Sequence, residues 1–137
     1  ELFQHDYLRD IKGKSSITKM SGGGKKAHYL IDGRMVSGLS KKPSGSNSTK
    51  SIDFQRDNEY YYAKHTSAEG GAQDNQCDDG KRFIEQANIY ATQHNDDKVF
   101  ILLVDGAYYN DARKNKIRAM VAPEHQHRVR VCGCDEV

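Results

Sequence analysis

Asp53 and Lys64 are the two residues whose types and spacing best suit chemistry in this chain. They lie on two strand-forming stretches separated by Asp57 and Asn58, which tolerate the left-handed backbone of a two-residue hairpin turn. In such a hairpin Asp53 is opposite Tyr62, and Lys64 lies two residues further along the same face. A carboxylate that holds a divalent metal, beside an ammonium that orients a water or neutralises phosphate charge, is what phosphodiester hydrolysis requires. The alternative interpretation is an ordinary hairpin with a solvated salt bridge.

The order of the predicted elements around this hairpin is informative. The second strand ends in Tyr62-Ala63-Lys64, a loop with two glycines follows, and a helix leads to an apolar strand at 99–104. This order resembles the PD-(D/E)xK nucleases, and most of all the cleavage domains of type II restriction endonucleases, over roughly residues 28–137. The family usually has an acidic residue two positions before the lysine, where this sequence has Tyr62. Some members have Asn, Gln or another non-acidic residue there.

The resemblance implies an α/β fold with a central mixed β-sheet of about five strands flanked by helices, as in restriction endonucleases. It implies a Mg²⁺-dependent endonuclease, with Mn²⁺ as the alternative ion, that hydrolyses the phosphodiester bonds of double-stranded DNA. Asp53 and the backbone carbonyl of Ala63 would bind the metal. Lys64 would hold or deprotonate the attacking water and stabilise the phosphate charge, and Tyr62 takes the position of the second carboxylate. The expected partners are DNA and either a second copy of the chain or a recognition domain or subunit, in the cytoplasm of a prokaryotic cell.

Tyr62 leaves other functions open. A domain that has lost its second carboxylate would be a catalytically inactive DNA-binding or subunit-assembly module on the same fold, and an RNA-processing nuclease is a third interpretation. If Tyr62 shares a face with Asp53 and Lys64, a carboxylate introduced there would complete a ligand pair. If Tyr62 packs in the core, the same carboxylate would be buried without a partner.

Two polar segments are candidates for contacts to DNA. The segment 41–50 interleaves lysines with small hydroxyl residues, which suit phosphates, and its asparagine suits base edges. Two glutamines follow the glycine loop, where the resembling nucleases place a polar helix start near the scissile strand. The candidates are Lys41, Lys42, Asn47, Lys50, Gln73 and Gln76. The alternatives are a disordered surface loop for the first segment and plain helix capping for the second.

Composition sets wider limits on the function. The chain has 137 residues, 36% of them apolar and none of them Trp, which predicts one domain with a lean core. A net charge of +2 does not by itself indicate a nucleic-acid partner. Three cysteines and six histidines have neither disulfide-framework nor zinc-site spacing, so we expect reduced thiols and surface histidines. No run of ~18 apolar residues and no secretory signal are found, so no membrane partner is expected. The first residue is Glu1 rather than Met, so we expect a fragment or a processed domain.

Periodicity predicts the elements that position these residues. We expect a single domain over 1–137, in which 1–24 form an N-terminal helix and a flexible glycine-rich linker. A hairpin at 27–36 turns at Asp32-Gly33, and the segment 37–49 is a loop. A helix over 76–93 carries a stripe of apolar residues, a second helix runs from its cap at Asn110 to about Met120, and the last strand covers 128–132.

Overall fold

A five-stranded mixed sheet forms the centre of the computed structural model, which describes the backbone of residues 2–66 and 71–137 and the side chains of residues 3–66 and 77–137. The strands are β1 (Thr18–Lys19), β2 (Tyr29–Ile31), β3 (Arg34–Val36), β4 (Phe54–Arg56), β5 (Glu59–His65), β6 (Val99–Asp105) and β7 (Val129–Cys132). The helices are α1 (Leu2–Asp10), α2 (Gly71–Gln93) and α3 (Asp111–Arg118), with short 3-10 turns at Pro123–His125 and Cys134–Glu136.

The order of the strands in the central sheet is β1-β4-β5-β6-β7, and β2 pairs with β3 in a separate two-stranded sheet. The pairs β1–β4 and β4–β5 are antiparallel, whereas the pairs β5–β6 and β6–β7 are parallel. The carboxyl ends of β5 and β6 therefore meet, with Lys64 beside Val104 and His65 beside Asp105. The predicted α/β class, with a mixed sheet of about five strands flanked by helices, is confirmed.

The two faces of the sheet have separate cores because side chains alternate along each strand. On one face the α2 residues Phe83 and Ala87 belong to the same buried cluster as Tyr62, Phe100 and Leu102. On the other face Leu8 of α1 and Ile17 belong to a cluster with Tyr61, Ile101 and Leu103. The predicted apolar stripe of α2 is thus buried, although the helix begins at Gly71 and not near residue 76.

The hairpin between β4 and β5 has the predicted turn and register. Phe54 pairs with Tyr61, and Arg56 pairs with Glu59 across the turn. Asp57 takes the left-handed backbone with φ of 52°.

The ladder becomes irregular at Asp53, immediately before β4. Its backbone N–H donates to the carbonyl of Tyr61 at 2.9 Å, whereas its carbonyl accepts from the N–H of Met20 at 2.8 Å. In a regular antiparallel pair both groups of one residue bond to the same neighbour, so Asp53 lies at a local irregularity of the bulge type. Such irregularities re-aim a side chain, and here the side chain is the carboxylate of interest.

The expectation of a flexible linker up to residue 24 is wrong for part of that segment. Thr18 and Lys19 form β1, which pairs with β4 at the edge of the sheet. Ile17 is 4% exposed and packs in the α1-side core. This segment is ordered because Ile17 is buried and because β1 pairs with β4, which is distant in the sequence. Neither contact can be predicted from a two-residue strand that lies beside a run of glycines.

The remaining predicted elements are present with small shifts at their ends. Asp32 and Gly33 both have positive φ, as a two-residue hairpin turn requires, and a side chain at Gly33 would collide with Ile89. Asn110 caps α3 by accepting from the N–H of Arg113 at 2.9 Å, and α3 ends at Arg118. Among the described residues, none of the helices combines the length and the apolar character needed to cross a membrane.

Candidate active site

A cavity of about 240 Å³ opens on the α2 side of the sheet, beside the β4–β5 hairpin. Strand β5, helix α2, the segment before β4 and the loop after β3 contribute its walls. The residues that line it are Gly22, Tyr29, Lys42, Pro43, Thr49, Lys50, Ser51, Asp53, Tyr62, Lys64 and Asp79. The cavity therefore brings together Asp53, Tyr62 and Lys64, the three residues predicted to carry the chemistry.

The carboxylate of Asp53 is held by the backbone of β5. Its Oδ2 accepts the N–H of Ala63 at 2.7 Å, so the side chain takes the place of a backbone carbonyl at the end of the ladder. Ala63 itself does not line the cavity, because alternation along β5 places its side chain in the core of the opposite face. Its role in this geometry is to position Asp53 through its N–H.

Lys64 lies over the ring of Tyr62, with its Nζ 4.9 Å from the ring centroid. Tyr62 is 2% exposed and stacks on Phe83 of α2 at a centroid distance of 5.4 Å. Tyr62 thus both shares a face with Asp53 and Lys64 and packs in the core. A cation–π contact of this kind contributes about 0.5–1 kcal/mol at an exposed site and more when desolvated, and it orients the ammonium.

Asp53 and Lys64 do not form the salt bridge of the alternative interpretation. Among the described residues, no carboxylate lies within 4.0 Å of the ammonium groups of Lys42, Lys50 or Lys64. Three lysines, none of which forms an ion pair with a described residue, and two aspartates therefore share one small cavity. That arrangement suits a ligand that carries both negative charge and a divalent cation.

Asp79 is the residue that sequence reasoning missed. It is half-buried on α2 and lines the cavity opposite the hairpin. Asp79 lies in a polar stretch of the sequence, so nothing in the local composition separates it from the neighbouring polar residues. One signal was available: Asp79 lies four residues before Phe83 and therefore on the buried stripe of the helix, where an acidic side chain is unusual.

The loop between β3 and β4 places only part of the predicted DNA-contact set at the cavity. Lys42 and Lys50 line it, whereas Lys41 is exposed and does not. Asn47 donates its side-chain amide to the carboxylate of Asp32 at 3.0 Å, which ties the loop to the β2–β3 turn. The side chains of Gln73 and Gln76 lie outside the described residues.

Backbone and side-chain bonds hold this loop in place. The hydroxyl of Thr49 accepts from the N–H of Leu30 at 3.0 Å, and the N–H of Thr49 donates to the carbonyl of Leu30 at 2.9 Å. Ser48 forms an isolated bridge with Ile31. The end of the loop that carries Lys50 is therefore fixed to β2, which differs from a disordered surface loop.

None of the cysteines is among the described residues that line this cavity. All three are free and buried. Burial raises the pKa of the Cys132 thiol, and burial together with a hydrogen bond to Asp105 raises the pKa of the Cys134 thiol. Since the thiolate is the reactive form of cysteine, these raised pKa values disfavour the reactive form of both thiols at neutral pH.

The donor set fits a hard divalent cation bound in part by its substrate. Among the described residues no group of three or more His, Cys, Asp or Glu side chains converges on one point. Mg²⁺ is usually bound through one or two carboxylates together with water and substrate phosphates, rather than by an all-protein cage. Two aspartates at one cavity match that mode of binding.

No known protein family, curated protein or solved structure matches the chain significantly.

Proposed function

We propose that this protein is a Mg²⁺-dependent nuclease that hydrolyses phosphodiester bonds of double-stranded DNA. The observation that carries the proposal is the cavity lined by Asp53, Asp79 and Lys64, with Lys42 and Lys50 at its rim. Two carboxylates can hold a divalent cation, and three lysines without carboxylate partners among the described residues can hold phosphates. The resemblance to the PD-(D/E)xK nucleases agrees with this chemistry.

Asp53 and Asp79 would hold the cation, with Mn²⁺ as a substitute for Mg²⁺. When bound, the cation supplies Lewis-acid stabilisation of the charge that develops on the phosphoryl oxygens. Asp79 then takes the part of the second carboxylate, which the family usually has at the position of Tyr62. Helix α2 would thus supply the second carboxylate, which β5 does not have at Tyr62.

The chain's own side chains have distinct parts in the hydrolysis. Lys64 would orient the attacking water and neutralise charge on the phosphate while water adds to phosphorus and one P–O ester bond breaks. Tyr62 supports Lys64 from below through the contact at 4.9 Å. Lys42 and Lys50 would contact phosphates on either side of the scissile bond, which fixes the register of the strand in the cavity.

Plasmid cleavage in Mg²⁺ and in EDTA tests the proposal. Asp53→Asn and Asp79→Asn should each lower the cleavage rate at least about a hundredfold, since loss of a metal carboxylate costs several kcal/mol of transition-state stabilisation. The asparagine at 53 can still accept the N–H of Ala63, so the hairpin should be kept. Lys64→Met, which keeps most of the length of the side chain without its charge, should lower cleavage while changing DNA affinity little.

Asp78→Asn is the matched control, because Asp78 is the exposed neighbour of Asp79 on α2 and does not line the cavity. It should cleave at the wild-type rate. Binding of plasmid DNA without Mg²⁺-dependent cleavage would instead identify an inactive DNA-binding module. Cleavage of RNA but not of DNA under the same conditions would identify an RNA-processing nuclease.

A further inference from the structure

Positive charge is concentrated in the part of the chain that precedes the β4–β5 hairpin. Residues 11–52 contain nine of the 21 Lys and Arg residues but only one of the 19 Asp and Glu residues. That one acid, Asp32, lies in the β2–β3 turn and accepts the side-chain amide of Asn47 at 3.0 Å. A chain with a net charge of +2 therefore contains one strongly basic segment, and such a concentration of charge is typical of a protein with a polyanionic partner.

Two loops of this basic segment lie side by side at the mouth of the candidate active site. We call them the paired loops, and they cover residues 21–26 and 38–51. The N–H of Gly38 donates to the carbonyl of Lys25 at 2.8 Å, and the hydroxyl of Ser51 donates to the carbonyl of Gly22 at 3.3 Å. Gly22 and Ser51 both line the cavity. The two loops therefore form one surface that continues from the cavity.

The paired loops carry five exposed lysine side chains and no acidic residue. These are Lys25, Lys26, Lys41, Lys42 and Lys50. None of the five forms an ion pair with a described residue. Lys42 and Lys50 line the cavity, whereas the other three do not. The positive surface thus extends beyond the space in which one phosphate group would be cleaved.

The glycine run in the first of the paired loops leaves room for a phosphate backbone to approach. A side chain added at Gly22 or Gly24 would meet no atom within 4 Å. No backbone carbonyl among the described residues accepts the N–H of Gly22, Gly23 or Gly24. Backbone N–H groups are common donors to DNA phosphates, so these groups can add hydrogen bonds to the charge of the lysines.

We propose that the paired loops bind the phosphate backbone of DNA next to the bond that is cleaved, with Lys25, Lys26 and Lys41 as contacts outside the cavity. The identity of the polyanion as DNA rests on the function proposed above, whereas the polyanion surface rests on the charge and the position of the loops. Contacts to phosphate carry no direct sequence information. The surface would therefore position DNA across the cavity without selecting its sequence.

A salt series of DNA affinity in EDTA tests this surface without cleavage. Lys25→Gln/Lys26→Gln should reduce the magnitude of the slope of log K against log salt by about 1.8, which corresponds to two phosphate contacts and to roughly sixtyfold weaker binding at ~0.1 M salt. The change should be the same for duplexes of different sequence. Lys81→Gln/Lys116→Gln is the matched control, because it makes the same charge change on α2 and α3, outside the paired loops. Its slope should equal that of the wild type.

NMR titration with a short DNA duplex in EDTA tests the position of the surface. The backbone N–H signals of residues 22–26 should shift as DNA is added, and their absence from the shifted set would overturn the proposal. Equal salt slopes for the variant at 25 and 26 and the control would also overturn it.

The remaining outcomes separate this surface from other assignments. A loss of affinity confined to one DNA sequence would overturn the assignment to phosphates. Weaker binding to phosphatidylserine vesicles with an unchanged DNA slope would overturn the nucleic-acid partner in favour of a membrane surface. The expected slope change in a protein that never cleaves DNA would remove the proposed nuclease activity and support the DNA-binding surface.

Discussion

At the scale of single residues, Tyr62 determines which position can supply a second carboxylate to the cavity. Its ring is 2% exposed, stacked on Phe83, and covered on its cavity side by the ammonium of Lys64. A carboxylate at this position would exchange an aromatic contact for a buried charge. The ring is therefore a structural platform for Lys64, and in the proposed function Asp79 would supply the second carboxylate instead.

Tyr62→Asp should lower the free energy of unfolding by about 3–5 kcal/mol, since it removes a buried ring and buries an ionisable group. It should not tighten Mg²⁺ binding. Tyr62→Phe keeps the ring and should cost at most about 1–2 kcal/mol. Urea unfolding of both variants beside calorimetric Mg²⁺ titration measures the two effects. A Tyr62→Asp variant that is as stable as wild type and binds Mg²⁺ more tightly would show that the ring is replaceable and that residue 62 faces the metal.

The predictable part of the site is the part that local rules determine. The turn at Asp57 fixes the hairpin register from Phe54 to Tyr61, and this register brings Asp53 close enough to β5 for Asp53 and Lys64 to line the same cavity. Asp79 reaches the cavity through the packing of α2 on the sheet, and its only local signal is its place four residues before Phe83 on the buried stripe. Asn47 is a residue that the sequence suggested for base contacts, but its amide donates to Asp32 of the β2–β3 turn, a contact that the local sequence does not reveal.

At the scale of elements, Arg128 ties the end of α2 to β6 and β7. Its guanidinium donates to the carbonyl of His94 at 2.6 Å, to Asp96 Oδ1 at 2.6 Å and to the carbonyl of Lys98 at 3.1 Å. Tyr90 of α2 donates its hydroxyl to the same carboxylate. Burial alone would raise the pKa of Asp96, but the hydrogen bonds from Tyr90 and the Lys98 N–H, with the charges of Lys98 and Arg128, lower it.

Asp96→Asn should therefore destabilise the fold in a pH-dependent way. A carboxyl whose folded-state pKa is depressed stabilises the fold above its ordinary pKa of 3.8, and that stability is lost as the pH falls through the lower folded-state value. We expect a loss of about 1–2 kcal/mol near neutral pH, after allowance for partial exposure, that disappears well below pH 3.8. Urea unfolding across this range measures it. Asp97→Asn, at the exposed next residue, should match the wild type throughout, and a pH-independent loss at Asp96 would mean that its charge has no part in the effect.

The elements that sequence predicts best are those with a continuous local signal. The hairpins, the stripe on α2 and the capped start of α3 depend on neighbouring residues, and all of them are present. Strand β1 is two residues long and forms because it pairs with β4 at the edge of the sheet. Arg128 lies in a predicted half-exposed strand, yet it is 7% exposed because the end of α2 and Asp96 enclose its guanidinium.

At the scale of the whole molecule, Gln4 connects helix α1 to the ends of β5 and β6, next to the cavity. It is fully buried on α1, and its amide nitrogen donates to the carbonyl of Lys64 at 3.1 Å and to Asp105 Oδ2 at 2.8 Å. Asp105 also accepts the N–H of Cys134 at 3.1 Å. A single amide thus joins the N-terminal helix, the ends of two parallel strands and the C-terminal turn. It holds the backbone of Lys64 from the face opposite to its ammonium.

Gln4→Met tests whether this connection positions Lys64 as well as stabilising the fold. The methionine keeps the length of the side chain but leaves the Lys64 carbonyl and one oxygen of Asp105 each short of a donor, which should cost roughly 2 kcal/mol. Gln93→Met makes the same change at the exposed end of α2 and should be neutral. Urea unfolding measures the stability of both variants. The cleavage rate at saturating DNA, at a temperature where both variants are fully folded, reports whether Lys64 is correctly positioned. We expect a slower rate with unchanged DNA affinity for Gln4→Met. If the variant is less stable yet cleaves at the wild-type rate, Gln4 only stabilises the fold, and β5 positions Lys64 without it.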